Sequence, residues 1–191
     1  MLHAAPPVIL VFGDSLSAAY GMPREAGWVT LLETHLTRQQ FDYQIVNASV
    51  SGETTAGGLR RIEGALTEHR PAIVILELGA NDGLRGLPLA AMSNNLEKMI
   101  AICRRKKARV LLIGMRLPPN YGTRYTQKFQ DSYVELAKRH TLAFVPFLLA
   151  GIEGNQYFQA DNLHPTAEAQ PYLMQNVWGA LQPMLKPKRG K

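Results

Sequence analysis

Apolar residues along the chain fall into short unbroken runs, separated by longer stretches in which they recur with a helical period. The runs Val8–Phe12, Gln44–Ala48, Ala72–Leu78, Val110–Met115 and Ala143–Phe147 are the expected strands. Most of them, such as VILVF, AIVILEL and VLLIGM, are apolar on both faces, as parallel strands are when helices cover the sheet on each side. The helical period predicts helices over 26–39, 55–69, 89–107, 124–140 and 166–184. In the third of these Leu96, Met99, Ile100 and Cys103 share one face, which makes Cys103 a small core residue rather than a nucleophile. Pro71, Pro88 and Pro118–Pro119 punctuate the joints.

Five strand–helix units in series predict an α/β protein, a three-layer α/β/α sandwich with a five-stranded parallel sheet. Right-handed crossovers leave few topologies, and the flavodoxin-like strand order 2-1-3-4-5 is the expected one. There is no internal repeat and no linker-like shift of composition, so one domain is expected over 1–191, with a core over about 8–185 and a basic tail at 186–191. In doubly wound sheets the site lies outside the carboxyl ends of the strands. The segments to search are therefore those just after residues 12, 48, 78 and 115, together with the loop ahead of the last helix.

Composition narrows the chemistry. A single cysteine excludes a disulfide scaffold, and the five histidines (3, 35, 69, 140 and 164) are too dispersed for a zinc or HExxH site, so no metal is expected. Nucleotide-binding glycine motifs are missing, as is the G-x-S-x-G elbow of α/β-hydrolases, and no cofactor is expected. The net charge of +6 owes four of its positive charges to Lys186, Lys188, Arg189 and Lys191, and residues 1–185 carry only +2 (17 basic, 15 acidic). The run Arg104–Lys107 closes a predicted helix, where positive charge suits the dipole. Neither run is interleaved with aromatics, so nucleic acid is not an expected partner. No stretch is long and apolar enough for a membrane span, and no secretory leader is expected within MLHAAPPVIL, a start that a chain trimmed of its leader would share.

The rim segments read GDSLSAAYG (13–21), SVSGET (49–54), GANDG (79–83), RLPPNYG (116–122) and ADNLHP (160–165). Ser15 follows the first strand by a few residues and opens a helical or turn segment, where it serves either as a cap with Asp14 or as a nucleophile. His164 is the candidate base, and Asp161, three residues earlier, is within one tight turn of it; taken singly, the pair also reads as a turn cap and a surface histidine. Pro165 is placed to start the last helix. Gly52 and Asn81 can offer a backbone N–H and a side-chain amide to a developing oxyanion, although a turn glycine and an Asx turn need the same residues.

In order along the chain, GDSLS, the glycine of SGET, the GxND of GANDG and the DxxHP of DNLHP resemble the signature of the SGNH (GDSL) hydrolases. VNASVSGET, ELGANDGLRG, RLPPNYGTRY and AQP are similar to the bacterial thioesterase I/protease I/lysophospholipase subgroup, which includes arylesterases, and the likeness covers about residues 8–185. It implies a nucleophile at Ser15, a base at His164, an orienting acid at Asp161, and an oxyanion hole made by the Ser15 and Gly52 N–H groups and the Asn81 side chain. The chain departs from the subgroup at Ala80, which stands for a second glycine and stiffens the loop after Asn81, and at Asn162–Leu163, which stand for Gly–Ile.

The resemblance implies hydrolysis of single-chain acyl esters and thioesters: acyl-CoA, aryl and short-chain esters, and lysophospholipids. Leu84, Leu117, Pro118, Tyr121 and Phe158 are the candidate acyl-groove residues, against ordinary loop packing. It also implies the periplasm, with a cytoplasmic location as the alternative, and a monomer is expected. Two other readings stand beside it: a carbohydrate O-acetyl esterase on the same fold, and a non-catalytic module that uses the GDS loop as an anion nest.

Overall fold

The computed structural model describes residues 5–187. His3 and three of the four tail cations, Lys188, Arg189 and Lys191, lie outside the described residues. The strands are β1 (Val8–Gly13), β2 (Gln44–Asn47), β3 (Ile73–Glu77), β4 (Arg109–Ile113) and β5 (Ala143–Val145), and the sheet order is β2-β1-β3-β4-β5. All four pairings are parallel. The architecture expected from the apolar runs is the one found.

The helices are α1 (Trp28–Arg38), α2 (Thr55–His69), α3 (Ala80–Leu84), α4 (Leu89–Arg105), α5 (Thr123–Arg139) and α6 (Gln170–Leu181). The chain steps from β1 out to β2, then back across β1 to β3, β4 and β5. Right-handed crossovers in opposite directions put helices on opposite faces, so α1 packs with α6 while α2 packs with α4 and α4 with α5. Leu96, Met99, Ile100 and Cys103 of α4 are all fully buried. Burial pushes the Cys103 thiol up to about 12, so it stays protonated in the core.

Three local expectations are corrected. Pro165 does not start the last helix. Phe158 and Pro165 form an isolated antiparallel bridge, with Gln159 N–H on His164 O (2.8 Å) and Thr166 N–H on Tyr157 O (2.8 Å). This pairing holds 165–166 extended, and α6 begins only at Gln170, with Pro171 in its first turn. The loop after Asn81 is a short helix, α3, which alternating pattern did not predict because five residues carry too little period. β5 stops at Val145, before Pro146.

The register brings Gly13 directly opposite Glu77 at the carboxyl ends of β1 and β3. A Cβ on Gly13 would lie 2.6 Å from Glu77 Oε2 and 2.8 Å from Ser17 Oγ, so only glycine fits there. Every residue of β3 is buried, including Glu77, the one charged type in it.

Candidate active site

Ser15 follows β1 in a tight turn rather than a helix. Asp14 builds that turn: its Oδ1 accepts the Leu16 N–H (3.0 Å) and its carbonyl accepts from Ser17 and Ala18. The turn is tied down from three sides. Trp28 Nε1–H donates to Leu16 O at 3.1 Å, Asn47 Nδ2 donates to Ser17 O at 2.7 Å, and Val50 N–H donates to Gly13 O at 3.0 Å.

The loop ahead of α6 brings the other partners. Ser15 Oγ lies 2.8 Å from His164 Nε2, and His164 Nδ1 lies 2.6 Å from Asp161 Oδ2. A carboxylate only accepts, so the imidazole proton sits on Nδ1 and Nε2 is left to accept from the serine hydroxyl. Asp161 Oδ1 also accepts the N–H groups of Leu163 (2.9 Å) and His164 (3.0 Å). Partial burial acts to raise the Asp161 carboxyl, but these backbone bonds and the imidazole outweigh it and bring it down to about 2. Asn162, at φ 55°, takes the left-handed conformation in this turn. That conformation favours glycine and is tolerated by asparagine, which accounts for Asn162 where the subgroup has glycine.

Asn81 lies in the first turn of α3, and its Nδ2 donates to Asp14 Oδ2 at 3.1 Å and to Glu53 O at 3.0 Å. Both amide hydrogens therefore already have acceptors. Gly52, one residue before that carbonyl, has φ 77°. Neither Ser15 N–H nor Gly52 N–H has an acceptor among the described residues. Arg85 donates to the Gly52 carbonyl at 3.1 Å from the other side.

A groove of about 310 Å³ opens over Ser15, Asn81 and His164. Leu84, Leu117, Pro118 and Phe158 line it, while Gly52 stands outside its lining. Tyr121, also expected there, is not among the lining residues; its hydroxyl donates to Leu84 O at 3.0 Å. Larger pockets exist on the molecule, but they do not contain the serine. Ala80, buried to 8% exposure, begins α3 and contributes to the groove wall.

Sequence reasoning missed Met115, Phe147, Leu149 and Leu163 on the groove wall. The carboxyl-end rule would have found Phe147 and Leu149 had it been applied after β5 as it was after the other strands. It also missed Tyr20, whose ring lies against the His164 imidazole, and Gln159, whose Nε2 donates to Tyr20 O (2.9 Å) and Pro165 O (3.0 Å). No local pattern marks either residue.

The model of the GDSL-like lipase/acylhydrolase family matches residues 11–170. The chain belongs to this family. Within it, Esterase TesA of Pseudomonas aeruginosa is 49% identical over 184 residues, which span 96% of this chain and 92% of that one. Thioesterase 1/protease 1/lysophospholipase L1 of Escherichia coli K12 is 38% identical over 183 residues, 95% of this chain and 86% of its own. A crystal structure of TesA superposes with a TM-score of 0.89 at 47% identity, covering 93% of this chain and 99% of that one. This member of the GDSL-like family is an acyl hydrolase.

Proposed function

We propose that Ser15 is the nucleophile of this hydrolase, His164 its general base and acid, and Asp161 the group that holds the imidazole in the working tautomer. The observation that carries this reading is the unbroken line Asp161–His164–Ser15, with contacts of 2.6 and 2.8 Å, whose Ser15 and His164 line an apolar groove. Ser15 Oγ attacks the acyl carbonyl as its proton passes to His164 Nε2. The tetrahedral intermediate collapses, the bond to the leaving oxygen or sulfur breaks, and the leaving group takes that proton. Water then gives a proton to His164 and attacks the acyl-serine; the acid departs and the proton returns to Ser15. Ser15 N–H, Gly52 N–H and the Asn81 amide are the donors assigned to the oxyanion. Because Asn81 begins with both hydrogens engaged, the charged oxyanion replaces the neutral Glu53 carbonyl as acceptor.

The acyl chain is assigned to the groove lined by Leu84, Leu117, Pro118 and Phe158, and the substrates are single-chain esters and thioesters. We place the enzyme in the periplasm as a monomer, with one hydrolase domain and a role in lipid metabolism. No helix among the described residues is long and apolar enough to cross a membrane. Hydrolysis of p-nitrophenyl butyrate and palmitoyl-CoA by the parent and by Ser15→Ala tests the assignment. Loss of both activities in a folded Ser15→Ala is expected, and a variant that turns over at the parent rate would remove Ser15 from the chemistry.

A further inference from the structure

Behind Ser15 the fold buries two carboxyl groups that the serine chemistry does not use. Asp14 and Glu77 are both fully buried, and Asp14 N–H donates to Glu77 Oε2 at 3.3 Å. Ser17 Oγ–H donates to the same oxygen at 2.7 Å, while Glu77 Oε1 has no partner. The two groups differ in what they are offered. Each oxygen of Asp14 receives one N–H, from Leu16 and from Asn81, whereas a whole Glu77 oxygen receives none. An unpaired buried oxygen is the place for a proton, so Glu77 is the neutral acid and Asp14 the ion.

We propose that ionised Asp14, backed by a protonated Glu77, is the positioning residue for Asn81, so that the oxyanion hole is aligned only while Asp14 carries its charge. The inference rests on Asn81 serving the oxyanion as assigned above. The charged acceptor keeps its hold on one amide hydrogen and leaves the other, now on the Glu53 carbonyl, to be given up. Protonating Asp14 turns one of its two accepting oxygens into a donor, and the Leu16 and Asn81 N–H groups can no longer both be well accepted.

The groups that face the pair leave Asp14 close to that transition. Glu77 faces it from β3, Asp82 from α3 and His164 from the loop before α6, and Tyr133 of α5 lies behind Glu77. At the side of Asn81, Glu53 is paired with Arg61 at 2.7 Å. No lysine or arginine forms an ion pair with Asp14 or Glu77 among the described residues. Burial raises Asp14 to about 6 against its hydrogen bonds and the His164 charge, and burial with the adjacent Asp14 holds Glu77 well above the ordinary range.

The test is the acid limb of log kcat/KM between pH 4.5 and 8 for the parent, Asp14→Asn and Glu77→Gln, with Ser15→Ala as the control for the site itself. Two protons, one on the His164 base and one on Asp14, give the parent a limb whose slope approaches two. Asp14→Asn, which cannot accept from both N–H groups, should lose about tenfold or more in kcat and fall with a slope of one. Glu77→Gln should keep the two-proton limb. A slope of one in the parent, or a slope of two that survives in Asp14→Asn, overturns the proposal, and loss of the second step in Glu77→Gln moves the ionisation to Glu77 and overturns it as well. As a readout that does not depend on turnover, the Asn81 side-chain amide resonances in ¹⁵N-labelled His164→Gln protein should titrate with a midpoint above the parent's Asp14 value of about 6, because the His164 charge that lowers it is gone; amide signals that stay fixed between pH 4.5 and 8 also overturn it. Activity retained by Ser15→Ala would instead mean that the site assignment has failed.

Discussion

Tyr20 lays its ring against the His164 imidazole with centroids 4.4 Å apart and planes tilted by 38°. An aromatic face at that distance attracts a cation, and the imidazole becomes one whenever it holds the serine proton. Gln159 fixes the Tyr20 backbone to the histidine loop, so the contact is set by both strand-end loops. With about 1 kcal/mol in such a contact, Tyr20→Leu should lower kcat about fivefold with KM within about twofold, and Tyr20→Phe should restore it. Equal kcat values for all three proteins would show that the ring does nothing for the base. At this scale Ser15, His164 and Asp161 were legible because each is a reactive type in an ordered motif. Tyr20 was not, since a tyrosine five residues from a serine carries no chemistry until another loop meets it.

Asp82 shows how elements are locked to one another around the site. Its carboxylate accepts Thr55 N–H at 2.8 Å and Thr55 Oγ1–H at 2.6 Å, which ties the start of α2 to α3. Asn95 of α4 adds a hydrogen bond to Thr55 Oγ1 at 3.2 Å. The loop carrying Gly52 and the helix carrying Asn81 thereby keep a fixed separation. Asp82→Ala strands the Thr55 N–H at a buried helix start and should cost about 3 kcal/mol of unfolding free energy, read from urea denaturation. A change under 1 kcal/mol would mean that the two elements are held by packing alone. The long helices and the apolar strands were visible from their periods. The short α3 and the extended stretch at Pro165 were not, because hydrogen bonds to distant segments override a local preference for turn or helix.

The whole molecule carries a cost for its buried carboxyl groups, and the cost depends on pH. An unfolded Glu77 ionises around 4.5, whereas in the fold it stays protonated well above that. Between those limits the native state binds the extra proton, so stability falls as pH rises, by up to about 1.4 kcal/mol per unit. Asp14 adds to the same trend between 3.8 and about 6. Asp161, held at about 2, acts in the opposite sense and only below its unfolded value of 3.8. Glu77→Gln removes the glutamate share, so its melting temperature should gain on the parent as pH rises from 5 to 8. A gap that stays constant over that range would show that Glu77 is ionised in the native protein. The sheet order, the helix layers and the site at the carboxyl ends of the strands followed from the sequence alone, because apolar period and crossover handedness are properties of the chain. The state of the carboxyl groups, the bond from Tyr121 to the Leu84 carbonyl and the partner of Tyr20 were decided by the tertiary structure, because burial and contact exist only between segments far apart in sequence.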